Sequence, residues 1–133
     1  MIRRLGCLLF FMAASSCGRR ADSTVAVLPV QSVVVSASSL HGRQIRVSGW
    51  LNLEMEGNAL YPTEQEHRRG LDKQALWFDV PDSLRGQEEA FSRRCVVVDA
   101  TVDAYDHGHR ALFAAGLARV SEVRVVECGA PRN

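Results

Sequence analysis

The chain carries almost no net charge. Its 133 residues contain 16 Lys and Arg against 15 Asp and Glu, which gives a formal net charge of +1 at pH 7. A balance of this kind creates no global field that would attract nucleic acid or an anionic membrane. The sequence therefore predicts no nucleic-acid partner.

Long apolar runs, internal repeats and low-complexity tracts are also missing. A helix that crosses a bilayer needs about 20 consecutive apolar residues. The apolar run over residues 5–14 is too short for this, and no later stretch is long enough. The composition, 47% hydrophobic and 23% charged, is that of one globular domain with extensions.

The usual signatures of catalysis are absent as well. Glu64, Glu66 and His67 could act as an acid or a base, but no nucleophile, glycine-rich phosphate loop or paired-carboxylate signature accompanies them. A solvated, charged connection explains these residues better. We therefore predict a protein that is not an enzyme and that uses no cofactor.

A metal site would have to form around His107 and His109, with Asp103 and Asp106 nearby. A structural zinc site needs four ligands in a closed geometry, and the other two histidines lie in other loops. We predict no metal, and a polar hairpin tip at which His109 bonds the backbone of the following loop. A metal-dependent module, or a small hydrolase that uses the loop of His107 and His109, stays open as the alternative.

The N-terminus has the pattern of a secretory signal. Arg3 and Arg4 form a basic segment, residues 5–14 are apolar, and the small residues Ala14, Ser15 and Ser16 follow. We predict that residues 1–16 are a signal peptide.

Cys17 follows directly, and this stretch resembles the lipobox of bacterial lipoproteins, although Ala14 stands where that family usually has Leu. The resemblance implies cleavage before Cys17 and acylation of its thiol, for example with palmitate, which makes the membrane a partner through this residue. Gly18 is not aspartate, which in Gram-negative lipoproteins implies the outer membrane, with the domain facing the periplasm. A cleaved and secreted protein is the alternative.

The chain after the signal divides into three parts. Residues 17–31 are predicted to be a lipidated tether, because residues 18–29 show no sustained period. Residues 32–128 are the predicted domain, and residues 129–133 a disordered tail.

Residues 44–56 are the clearest strand, because apolar and polar residues alternate strictly. The apolar side is Ile45, Val47, Leu51, Leu53 and Met55. Gly49 lies in the middle and predicts a bend or bulge, at which one strand serves two sheet faces of a small barrel.

Weaker patterns complete the predicted elements. They are strands over residues 59–63, 75–80, 95–105 and 119–127, and a short helix over residues 83–94 that packs through Leu84 and Phe91. A parity change around Ser121 and Glu122 predicts a bulge in the last strand.

Five strands with one short helix before the fourth resemble an OB-fold barrel. LHGRQIRVSGWL, residues 40–51, resembles the opening of OB-like bacterial envelope domains, and NALYPT, ALWFDV and GHRALFAAG are similar to segments of a group of small, uncharacterised bacterial lipoproteins. The resemblance covers residues 33–126 and implies fold and location, but no activity. An immunoglobulin-like sandwich is the alternative fold, although it normally needs more strands.

Two cysteines remain after export, because cleavage removes Cys7 and acylation uses Cys17. If the fourth and fifth strands pair antiparallel, Cys95 at the start of one lies beside Cys128 at the end of the other. In an oxidising compartment this predicts a Cys95–Cys128 disulfide. Two reduced cysteines are the alternative.

Three aromatic residues, Trp50, Tyr61 and Trp77, lie on the polar faces of the first three strands. They could form an exposed platform on the face with which OB folds bind oligonucleotides or oligosaccharides, and here the location favours a glycan or a protein partner. Alternatively they are buried, in the core or under residues 33–40 or the helix. The pattern predicts neither the identity of the ligand nor the oligomeric state.

Overall fold

The computed structural model describes residues 25–129. The predicted signal peptide, Cys17, most of the tether and the last four residues lie outside this range. The strands are β1 (Val27–Pro29), β2 (Gln44–Asn52), β3 (Ala59–Tyr61), β4 (Leu76–Phe78), β5 (Arg94–Asp103) and β6 (Ala115–Val125). The α-helices are α1 (Val30–Val35), α2 (Ala37–Leu40), α3 (Glu64–Arg68) and α4 (Glu88–Phe91), with 3-10 turns at Asp72–Gln74, Asp82–Leu84 and His109–Ala111.

Five strands close into a barrel. Their order is β2-β3-β4-β6-β5, and β5 pairs again with β2. All these pairs are antiparallel except β4 with β6, which is parallel. A mainly β, five-stranded barrel with this order is OB-like, so the predicted fold class is confirmed.

The alternating residues of β2 and β5 fill the barrel. On β2, Ile45, Val47 and Leu51 face the core, and on β5 every second residue from Val96 to Val102 is buried. Side chains of a strand point alternately to its two faces, so the same strands carry their polar residues on the outer wall.

β2 ends at Asn52, earlier than the predicted end at residue 56. Asn52 is 2% exposed, and its amide nitrogen donates to the carbonyl oxygen of Gly57 over 3.0 Å, which closes the turn. Leu53 is half-buried against the core, whereas Met55 is 99% exposed. The alternation beyond Asn52 therefore does not represent a strand.

Gly49 marks a change of neighbour and not a bulge. β2 pairs with β5 without a register break, and Gly49 lies opposite Val96. On its other edge β2 pairs with β1 before Gly49 and with β3 after it. A Cβ atom at Gly49 would lie 2.6 Å from the carbonyl oxygen of Tyr61 and 2.7 Å from the Val30 side chain, so this crowded junction requires glycine.

The predicted bulge in the last strand is confirmed. Asp99 pairs with Glu122 and Thr101 with Ala118, so three residues of β6 lie opposite one of β5. Arg119 has a φ of 49°, which is unusual for a residue other than glycine. β6 also begins earlier than predicted, at Ala115, because its first three residues pair with β4.

The folded part begins within the predicted tether. Val27–Pro29 pairs in parallel with β2, and Val30 is fully buried in the core. Residues 27–31, assigned to the tether by sequence, therefore belong to the domain. A three-residue strand that pairs with a distant part of the chain leaves no periodic signal of its own.

The predicted helix over residues 83–94 is divided in two. A 3-10 turn and α4 are separated by Gly86, which has a φ of 82°. Leu84 is buried and Phe91 half-buried against the core, as predicted. The glycine therefore prevents one continuous helix without removing its contacts.

Cys95 and Cys128 form the predicted disulfide. Their Cα atoms are 5.2 Å apart, and the bond joins the start of β5 to the chain just after β6. Next to it, the Val126 amide donates to the carbonyl oxygen of Cys95. The bridge therefore fixes the end of the β5–β6 hairpin.

Candidate functional site

The exposed aromatic platform is not formed. Trp50 and Tyr61 are only 5% and 3% exposed, and they pack with Phe113 in a second apolar cluster outside the barrel wall. Trp77 lies at the edge of this cluster and is half-buried. The alternative interpretation, burial under a cover, therefore applies to Trp50 and Tyr61.

The cover on one side comes from α3 and the turn after it. The His67 ring lies 4.9 Å from that of Trp50 and 5.0 Å from that of Tyr61, measured between centroids. The Tyr61 hydroxyl donates to Asp72 over 2.6 Å. Burial, and then this hydrogen bond, raise the pKa of Tyr61 well above its usual value. This cover was not among those predicted, because its sequence is strongly charged.

On the other side the cover is the loop between β5 and β6. The ring centroids of Phe113 and Trp77 are 5.4 Å apart. Gly108, with a φ of 64°, lies so close to Trp77 that an added Cβ atom would be 2.6 Å from the indole Cγ. The face of β3 and β4, on which OB folds usually bind oligomers, is thus largely occupied by the chain's own residues.

The two histidines of this loop have separate contacts. His107 Nδ1 lies 3.0 Å from the carbonyl oxygen of Phe113, so His107, and not His109 as predicted, bonds the following loop. His109 Nε2 is 3.6 Å from a carboxylate oxygen of Glu56. Within residues 25–129, no three His, Cys, Asp or Glu side chains are grouped so that they could hold a metal ion.

The residues weighed as an acid and a base have separate contacts. Glu64 forms an ion pair of 2.8 Å with Arg68. Glu66 accepts a short hydrogen bond from the Thr63 hydroxyl, which lowers the pKa of this carboxyl group. His67 packs on the aromatic cluster, so the three do not converge on one point.

A groove on the outer wall is the candidate binding site. It holds about 590 Å³, within the range of ligand sites. Its lining comes from five separate segments of the chain, residues 27–31, 48–50, 62–65, 95–97 and 126–129. We call it the disulfide groove, because both Cys95 and Cys128 line it.

The disulfide groove combines an apolar lining with an acidic rim. Val27, Pro29 and Val97 contribute aliphatic surface beside the disulfide. Glu64 and Glu127 are the charged residues of the lining, which includes no Lys or Arg. The chemistry that fits such a groove is an apolar ligand with a cationic group.

No helix in residues 25–129 is long and apolar enough to cross a bilayer. The Cys95–Cys128 disulfide is compatible with an extracytoplasmic location.

No protein-family model matches the chain, and no curated protein is similar to it. Among solved structures, the chain is similar to OBody AM3L15 bound to hen egg-white lysozyme, with 20% identity, a TM-score of 0.47, and coverage of 71% of this chain and 91% of that one. It is also similar to OBody AM1L10 bound to the same protein, with 21% identity, a TM-score of 0.44, and coverage of 67% and 83%.

Proposed function

We propose that this chain is a lipid-anchored protein of the bacterial envelope that binds, without catalysis, an extended peptide segment of a protein partner in the disulfide groove. The observation that carries the proposal is the groove itself, which is apolar at its base, acidic at its rim and of ligand size.

A peptide suits the groove better than a glycan. Carbohydrate binding by stacking requires the exposed face of an aromatic ring, and Trp50 and Tyr61 are almost fully buried. Aliphatic side chains of a peptide can instead pack on Val97 and Pro29, while a Lys or Arg of the partner meets Glu127.

The proposed location depends on the sequence before the domain. The lipobox-like residues 14–17 support acylation of Cys17, and Gly18 supports the outer membrane, facing the periplasm. The disulfide supports export, since such bonds persist in oxidising compartments.

Photo-crosslinking in living cells tests the groove. We expect a photoreactive phenylalanine at Gln65, on the groove lining, to crosslink to a defined envelope protein. The same group at Met55, which is 99% exposed and lies outside the groove, is the control and should give no such product.

A second pair of variants tests the apolar base. Val97→Lys places a charge in the groove and should abolish the Gln65 crosslink, because a desolvated charge opposes an apolar ligand. Val35→Lys, at a position that is 87% exposed and outside the groove, should leave it intact. A crosslink only within the chain, or one equally strong from Met55, would contradict the proposal.

A further inference from the structure

The second half of β6 is an open sheet edge. β6 pairs with β4 only through Ala115–Leu117, and no other strand in residues 25–129 pairs with its far side after the bulge. Ser121, Glu122, Arg124 and Val125 are all exposed. An open edge of this kind is a template on which another strand can pair.

The pairing with β5 determines which backbone groups are available. The Val126 amide bonds the carbonyl oxygen of Cys95, so Arg124 and Glu122, two and four residues earlier, also direct their backbone groups to β5. The N–H and C=O groups of Val123 and Val125 therefore point to the open edge.

The charges along this edge are self-complementary. In an antiparallel pair of two copies centred on Val123, Glu122 lies directly opposite Arg124 of the second copy, and Arg124 opposite its Glu122. Glu122 and Arg124 are 51% and 52% exposed, and within one chain they lie 3.4 Å apart on the same face.

Neighbouring registers are unfavourable. If one copy slides by two residues along the other in one direction, Glu122 lies opposite Glu122 of the second copy. If it slides by two residues in the other direction, Arg124 lies opposite Arg124. Like charges directly opposite each other destabilise a strand pair, whereas opposite charges stabilise it. One register is thus selected by charge.

We infer that the open edge of β6 binds a second copy of this chain, in an antiparallel pair centred on Val123. In this register the N–H and C=O groups of Val123 bond those of Val123 of the second copy, and the edge-facing groups of Val125 lie opposite Ser121. The sheet then continues from β5 of one copy to β5 of the other, and the half-buried Val123 side chains meet at the twofold axis. The partner groove is a separate site, so this inference does not depend on the proposed function.

A complementary charge exchange tests the inference. Full-length chains with two different tags are co-expressed, extracted in mild detergent and captured through one tag, and the second tag is quantified. Wild-type copies should co-purify. In a pair of two Glu122→Arg copies, arginine lies opposite arginine at two positions. In a pair of two Arg124→Glu copies, glutamate lies opposite glutamate at two positions. The co-purification of each variant with itself should therefore fall at least about fivefold below that of wild type.

The decisive sample mixes the two variants. A Glu122→Arg copy and an Arg124→Glu copy again oppose Arg to Glu at both positions, so co-purification should return to within about twofold of wild type. Arg69→Glu, an exposed change of the same charge outside β6, is the control and should behave as wild type. Wild-type copies that do not co-purify, single variants that still do, or a mixture that does not recover would each overturn the inference.

A proline variant guards against misfolding of the charge variants. Val125→Pro removes an N–H that points away from β5, so the hairpin keeps its own bonds while the edge is blocked. Formation of the Cys95–Cys128 disulfide, read on a non-reducing gel, reports the fold of each variant. Folded Val125→Pro should lose co-purification, and wild-type association of this variant would overturn the inference.

Discussion

Gly49 lies where three parts of the chain meet. An added methyl group would come within 3 Å of the Tyr61 carbonyl oxygen, the Val30 side chain and the Leu60 side chain. Two of these contacts are with buried side chains and one is with backbone, so none can move away easily. The glycine thus allows the N-terminal segment to pack on the barrel.

We therefore predict that Gly49→Ala lowers the free energy of unfolding by about 1–3 kcal/mol, the usual cost of overpacking. Gly57→Ala is the matched control, because a Cβ atom there meets only the Asn52 amide at 3.6 Å. Urea denaturation of both variants measures the difference. Equal stability of the two would mean that the junction is looser than its geometry indicates.

Trp50 shows which contacts a sequence pattern cannot predict. Alternation placed Trp50 on the outer wall correctly, but it could not show that this wall is covered. The covering ring, His67, lies in a segment without apolar period, and Asp72 is recruited through one hydrogen bond. Such contacts between residues that are separated in the sequence leave no periodic pattern.

At the scale of elements, Arg46 and Asp99 connect β2 to β5. The guanidinium group donates two hydrogen bonds, of 2.7 and 2.9 Å, to the two carboxylate oxygens. These bonds hold the pKa of Asp99 below its usual value. Because the folded-state pKa is lowered, the ionised carboxylate stabilises the fold above the unfolded pKa of about 3.9, and this stabilisation is lost as the pH falls below it.

Asp99→Asn should accordingly lower the free energy of unfolding by about 1–2 kcal/mol at pH 7, and the difference from wild type should shrink as the pH approaches 2. Asp82→Asn, in an ion pair whose aspartate is 94% exposed, should have little effect at any pH. Denaturation curves from pH 2 to 7 give both results. A difference between Asp99→Asn and wild type that does not vary with pH would argue against the pair.

The disulfide constrains the β5–β6 hairpin. It closes a loop with a sequence separation of 33, for which the chain-entropy model gives about 3.5–4 kcal/mol. The double variant Cys95→Ser with Cys128→Ser should lose stability by about this amount in urea, and the reduced wild type should behave like it. A loss below about 1 kcal/mol would show that the unfolded chain gains little freedom when the bond is absent.

Elements were predictable in proportion to their length. β2 and β5 are long and half-buried, so their alternation extends over many residues. β1 has three residues and forms by pairing in parallel with β2. α4 is one turn long and follows Gly86. For such short elements, tertiary pairing outweighs local preference.

At the scale of the whole molecule, the expected anchor is a single thiol. Cys17→Ala should abolish incorporation of labelled palmitate and release the chain from washed membranes, because one acylated residue is the proposed attachment. Cell fractionation and metabolic labelling measure both effects, with Cys95→Ser as the control that should keep its label. Continued membrane association of the Cys17 variant would rule out the lipid tether.

Five strands with a helix before the last two follow one another along the chain in the order of an OB fold, so the sequence pattern could predict the architecture. The disulfide groove was not, since its lining comes from five segments that only the closed barrel brings together. Of its residues, the sequence singled out the disulfide, Gly49, Trp50 and Glu64, and none of them as part of a groove. A surface assembled in this way is a product of topology.

Val27 and Cys128 lie on the lining of the same groove, and this limits how far the groove can be from a membrane. Both line the disulfide groove, so the chain enters the domain at the site that we propose for the partner. Val27 is ten residues after Cys17, and a span of this length covers at most about 35 Å. If Cys17 carries lipid, the groove is held within that distance of the bilayer surface, and the proteins it can capture are those whose own segments come equally close to the lipid.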